Sequence, residues 1–115
     1  MEERIETAVE HVNDVAVIRV AGDLTAAAQE QLETAYATAS ASAGAGVVLA
    51  FCESDHINSA GIGLLIGLVM EARKAGQAMR LVHPSEHFRK IFDIVGLSRY
   101  VQVHASVDEA LADLG

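Results

Sequence analysis

Short β-branched runs alternating with amphipathic segments predict an α/β fold whose strands are mostly parallel. Two runs, Val15 to Val20 and Val47 to Phe51, are apolar without polar alternation, the pattern of strands covered on both faces. The turn pair Asn13-Asp14 separates the first of these from an alternating strand, so an antiparallel hairpin opens the chain. With 115 residues and 12.1 kDa, the chain suits one domain over residues 1–115, burying about two-thirds of its unfolded surface. The expected order is ββαβαβαβα.

Each element has its own signal. Ile5, Thr7, Val9 and His11 alternate with Glu6, Ala8, Glu10 and Val12, as in a half-exposed strand. Gly22-Asp23-Leu24-Thr25 breaks the second strand, and the Thr25 hydroxyl can cap a helix running from Ala26 to about Ala41. In that helix Ala28, Leu32, Ala35, Tyr36 and Ala39 share one face. Val47 to Phe51 is followed by a polar loop, Cys52 to Ser59, and by a helix from about Ala60 to Lys74 that Gly76 ends. Met79 to Val82 is a strand closed by Pro84. Ser85 to about Val95 is amphipathic, with Phe88, Ile91, Phe92 and Val95 at helical spacing. Val101 to Val103 is a short last strand. Ser106-Val-Asp-Glu109 has the spacing of a capping box and opens a final helix through Leu114.

Composition excludes several functions. The hydrophobic fraction is 51% with 21% charged residues, too apolar for a disordered tail. The formal charge of −8 argues against a nucleic-acid partner, whose binding rests on phosphate neutralisation by Lys and Arg. One cysteine, Cys52, precludes an internal disulfide and a Cys-rich metal site, which fits a reducing compartment. The start Met1-Glu2-Glu3-Arg4 is unlike a signal peptide, and the apolar run Ala60 to Met70 is too short to span a membrane. The expectation is a cytoplasmic domain without membrane insertion. Residues 1–58 hold 10 acids and 2 bases, residues 59–115 hold 6 of each. Solvated faces explain this simply; an acidic surface built by the first half is the functional alternative.

The informative stretch is Ile57-Asn58-Ser59-Ala60-Gly61-Ile62-Gly63. Ser59 should cap the following helix or stand just before its first turn, where free amides and the positive dipole end accept negative charge. Gly61, Gly63 and Gly67 are poor helix formers. Gly63 and Gly67 lie four apart, which allows close packing onto the sheet, while Gly61 leaves room for a partner. Residues of this kind suit a protein-docking loop that carries a modifiable hydroxyl.

This stretch resembles the signature loop of the STAS domain family, the anti-sigma-factor antagonists and their relatives, which reads Asp-Ser-Ser-Gly-Leu-Gly or close. The resemblance runs from Ile5 to Leu114. It takes in Val20-Ala-Gly-Asp-Leu24, Phe88-Arg-Lys-Ile-Phe-Asp-Ile-Val-Gly-Leu97 and Ala105-Ser-Val-Asp-Glu-Ala-Leu111. It implies helices largely on one side of the sheet, no catalysis of its own, and a partner that is both anti-sigma factor and serine kinase. That partner phosphorylates a Ser at the loop–helix junction, and binding is lost. Aligned on Gly61, Ala60 stands at the usual acceptor position, Ser59 matches the Ser before it, and Asn58 replaces the usual Asp. Thr25 stands where the family often has Asp. Ser59 is the phosphorylation candidate. Loops leaving the carboxyl ends of parallel strands meet on one edge. The expected partner-binding rim is therefore Gly22, Asp23, Thr25, Asp55, Asn58, Ser59, Ala60, Gly61 and Ile62.

Other constellations point to no chemistry. Ser59-Ala60-Gly61 lacks the preceding Gly of a nucleophile elbow, because Ile57 is there. The glycines precede no Lys-Ser/Thr, so they are not a phosphate loop. His83 and His87 are four apart, but Pro84 should place His83 outside the helix, and surface or capping histidines are expected. Cys52 reads as a small core hydrophobe, and Arg89 and Lys90 as solvated charges on an exposed face. No enzyme activity, metal or cofactor is expected. Two functions stay open: an anti-sigma-factor antagonist that binds a serine-kinase-type anti-sigma factor, or an unphosphorylated STAS scaffold or accessory subunit of a larger assembly or transporter. A homodimer is also left open.

Overall fold

A computed structural model of the chain describes residues 5–42, 44–53 and 56–114. Five strands form one sheet in the order β1 (Glu6–Val12), β2 (Val15–Ala21), β3 (Gly46–Glu53), β4 (Met79–Val82) and β5 (Gln102–His104). β1 and β2 pair antiparallel around a turn in which Asn13 adopts φ 55°, a left-handed conformation Asn tolerates. The other pairs are parallel, as the crossover helices require. Those helices are α1 (Gln29–Ser40), α2 (Ser59–Lys74), α3 (Glu86–Ile94) and α4 (Val107–Leu114). The α/β order and the adjacency of the two apolar strands agree with the sequence.

The sheet separates two cores. Ala16, Ile18 and Val20 of β2, with Val47, Leu49 and Phe51 of β3, face one set of helices. There they meet Leu32, Ala35, Tyr36 and Ala39 of α1, Leu65, Leu68, Val69 and Ala72 of α2, and Phe92 of α3. Val15, Val17, Val48, Ala50 and Val82 face the opposite side, where Ala110 of α4 covers them. Three helices on one face and α4 on the other explain why β2 and β3 read as continuous apolar runs.

Several boundaries differ from the sequence expectation. The helix expected from Ala26 begins instead as a 3₁₀ turn, Ala26–Ala28, with Thr25 Oγ1 accepting from Ala27 N at 3.3 Å. Val95, expected on the buried face of α3, caps the helix end and is 38% exposed, because Gly96 turns left-handed at φ 85° and redirects the chain. Val101 is buried just before β5 rather than within it. At the start of α4, Ser106 Oγ accepts from Glu109 N at 3.2 Å, while Glu109 reaches back to Ala105 N. The capping box is thus present, with its return bond one residue upstream.

α4 is clasped to the sheet by polar contacts as well. Asp113 accepts a hydrogen bond from Arg80 Nε of β4 and lies 3.5 Å from His104 Nε2 of β5. The Arg80 hydrogen bond holds the Asp113 carboxyl below its ordinary value; partial burial opposes this, and the Arg80 charge and His104 reinforce it.

Two predictions test the fold. Ile18 is fully buried, so Ile18→Asp places an unpaired carboxylate in the larger core at a cost of several kcal/mol, against a total stability of about 5–15 kcal/mol. Circular dichroism should show loss of the cooperative melt. Because folding lowers the Asp113 pKa, its clasp is fully stabilising above the ordinary 3.8 and is lost as pH falls through the folded value. Asp113→Asn should lower Tm at neutral pH and flatten its decline in acid, read from melts across pH.

Candidate functional site

The loops that follow β2 and β3 are joined at the carboxyl edge of the sheet. Leu24 forms a parallel bridge with Ile57, three residues beyond Ala21 and four beyond Glu53, where the β2–β3 ladder ends. Leu24 N donates to His56 O at 2.8 Å, and Asn58 N donates to Leu24 O at 3.2 Å. The Leu24 side chain is buried in the larger core, so an apolar residue in an otherwise polar turn anchors that turn. The bridge delivers Gly22, Asp23 and Thr25 to the same edge as the start of α2.

Asn58 caps α2. Its Oδ1 accepts from Gly61 N at 2.9 Å, and its backbone oxygen accepts from Ile62 N at 2.9 Å. Ser59, expected as the cap or just before the first turn, is instead the first residue of the helix. The Asn side chain reaches the third amide from the cap position, and Ser59 is left exposed. Gly61, read as clearance for a partner, is buried against the chain itself. A Cβ there would lie 2.1 Å from Leu24 O and 3.2 Å from Ile57 Cγ1. Its missing side chain admits the neighbouring loop.

Of the expected rim, Asn58, Ser59 and Ala60 are exposed, and Gly22, Asp23, Thr25 and Ile62 are half-buried. Asp55 lies outside the described residues. Gly63 and Gly67, expected to pack onto the sheet, face outward, and a Cβ on either would touch nothing within 4 Å. With Ala60 they line a groove of about 420 Å³ between α1 and α2, bordered by Gln29, Glu33 and Glu71. Sequence reasoning missed these three border residues, because helical spacing gives no sign of which two outer faces form a groove. Burial raises the Tyr36 hydroxyl pKa, and the Glu71 charge adds to it.

Two further expectations are corrected. Cys52 is exposed rather than part of the core: alternation along β3 puts it on the Val48 and Ala50 face, where it borders a hollow with Ala8, Arg19 and Ala21. His83 is buried rather than at the surface. Its ring stacks on Phe88 at 4.2 Å, and Nδ1 accepts from Ser85 N at 3.0 Å, a structural role just outside α3. Lys90 is exposed as expected, but Arg89 is half-buried. Among the described residues, no three His, Cys, Asp or Glu side chains are placed to hold a metal ion, and no helix is long and apolar enough to cross a membrane.

The STAS domain family model matches residues 6–110. The chain belongs to the STAS domain family. The crystal structure of an anti-sigma factor antagonist from Mycobacterium paratuberculosis superposes with a TM-score of 0.83 at 22% identity, covering 96% of this chain and 93% of that one. The Bacillus cell fate determinant SpoIIAA in its phosphorylated form gives 0.71 at 28% identity, covering 96% and 100%. A curated Thermotoga neapolitana relative, named as a TM1081 homolog and anti-sigma factor antagonist, is 24% identical over 68 residues. That match spans 59% of this STAS chain and 60% of the relative's own length.

The Leu24–Gly61 contact gives the prediction for this site. Gly61→Ala forces the start of α2 off the Leu24 carbonyl, an overpacking that costs about 1–3 kcal/mol. Thermal melts should show the loss, with amide-exchange protection falling first at Leu24 and Asn58.

Proposed function

We propose that this STAS chain is an anti-sigma-factor antagonist that docks its partner on the rim at the amino end of α2. The observation that carries this reading is the exposed Asn58-Ser59-Ala60 corner, joined to the Asp23 and Thr25 turn by the Leu24–Ile57 bridge. A preorganised surface loses little conformational freedom on binding. Relatives of the same fold carry the antagonist name, and one of them was solved phosphorylated. The proposal extends to a partner that is itself a serine kinase, and to action within the cytoplasm by binding alone, with no turnover and no cofactor.

Ser59 is the proposed acceptor. The γ-phosphoryl of ATP passes to Ser59 Oγ, the hydroxyl proton leaves, and ADP departs. The product carries about −1.5 to −2 charges. The amino end of α2 accepts that charge locally, so the fold tolerates it. A partner seated on the rim meets it together with the Asp23 carboxylate and is repelled. Ala60 favours a second reading, because it occupies the usual acceptor position of the family: an unmodified STAS scaffold within a larger assembly.

Ser59→Asp separates the two. Under the antagonist reading it weakens anti-sigma-factor binding by about 1–3 kcal/mol in calorimetry and leaves Tm nearly unchanged. Mass spectrometry after incubation with the cognate kinase should place one phosphate on Ser59. Equal affinity of the wild type and Ser59→Asp, with Ser59 unmodified, leaves the scaffold reading standing.

A further inference from the structure

Gly63 and Gly67 have no explanation inside the chain. Glycine in a helix interior is less stable than alanine, because it loses more backbone freedom on folding. Gly61 is required by the Leu24 carbonyl, yet a Cβ at Gly63 or Gly67 points into open space. Ser59, Gly63 and Gly67 fall at every fourth position, so α2 presents a strip of almost bare backbone beside its exposed first residue. That strip forms one wall of the groove between α1 and α2, where half-buried Leu64 supplies apolar surface over the buried Leu68, and Glu33 and Glu71 stand on the border. An adjoining hollow of about 430 Å³ shares Gln29 and Glu33 and adds Glu30. Among the described residues, no Lys, Arg or His lines either one.

We propose that this groove seats a basic helix of a partner protein. A bare-backbone strip lets a second helix approach closely, as small residues do wherever helices pack at short range. Acidic borders on both walls select an occupant whose flanks carry Lys or Arg. A second copy of this chain does not meet that requirement. Two-fold pairing through the groove would set Glu33 and Glu71 of one protomer against carboxylates of the other. The groove extends the docking surface along α2 away from Ser59. It rests on the proposed function only in taking the partner to be a protein.

The test uses the full chain and a helical peptide of alanine and lysine, about twenty residues long, with its alanine–glutamate counterpart as control. Amide shifts in titrations of the labelled protein report the site. The lysine peptide should move the amides of residues 29–33 and 60–71, and the glutamate peptide should not. The double variant Gly63→Ala, Gly67→Ala should raise Tm by about 4 °C or more, since alanine is the better helix former and its Cβ meets nothing. The same variant should bind the lysine peptide roughly tenfold more weakly, at unchanged net charge. Glu33→Gln with Glu71→Gln should also weaken binding and reduce its salt dependence. Equal affinity of the glycine variant, shifts centred elsewhere, no shifts at all, or dimerisation through α2 without peptide would each overturn the proposal. Failure of the anti-sigma factor itself to bind, with the peptide results intact, would count against the proposed function alone.

Discussion

The backbone oxygen of Leu24 ties together the carboxyl edge of the sheet, where the loops after β2 and β3 meet. It accepts from Asn58 N, and it occupies the space that any side chain at position 61 would fill. Through that one carbonyl, the turn after β2 sets the height and angle at which α2 leaves the sheet. The Leu24 side chain sinks into the larger core, so the tie is anchored by burial as well as by hydrogen bonds. Remove either the glycine or the apolar anchor, and the two loops lose their common reference.

What lies on the exposed side of that tie is correspondingly rigid and small. Asn58 satisfies the free amide of Gly61, which releases Ser59 to stand at the helix start with its side chain in solvent. A hydroxyl in that position sees the positive end of the α2 dipole from outside. Added negative charge at this helix end is tolerated by the fold, which is the physical basis of the modification proposed for Ser59.

The opposite face of the sheet carries the smaller core. There α4 lies over Val15, Val17, Val48 and Val82, and its polar clasp joins Asp113 to Arg80 and His104. This arrangement sets α4 across the sheet from α1 and α2, whose outer faces hold the bare strip and the acidic borders of the groove.

The sequence by itself determined the element order, the central position of the two apolar strands, the buried stripe of α1 and the capping box of α4. Each is written in local periodicity or in residues within one turn of one another. It also carried the likeness to the STAS family, because the glycines and polar residues of the Ile57–Gly63 stretch keep their spacing whatever surrounds them. Tertiary structure alone decided the rest. Whether Gly61 clears space for a partner or for Leu24 depends on a residue 37 positions away in the chain. The exposure of Cys52 depends on what covers the far end of its face of the sheet, which no residue near it in the chain records. The groove beside Gly63 and Gly67 exists because α1 and α2 are neighbours, α1 offering Gln29 and Glu33 and α2 its glycines and Glu71. Local propensity records what a segment can form; the distances between segments are set by packing, and at the carboxyl edge of the sheet those distances bring the two loops together.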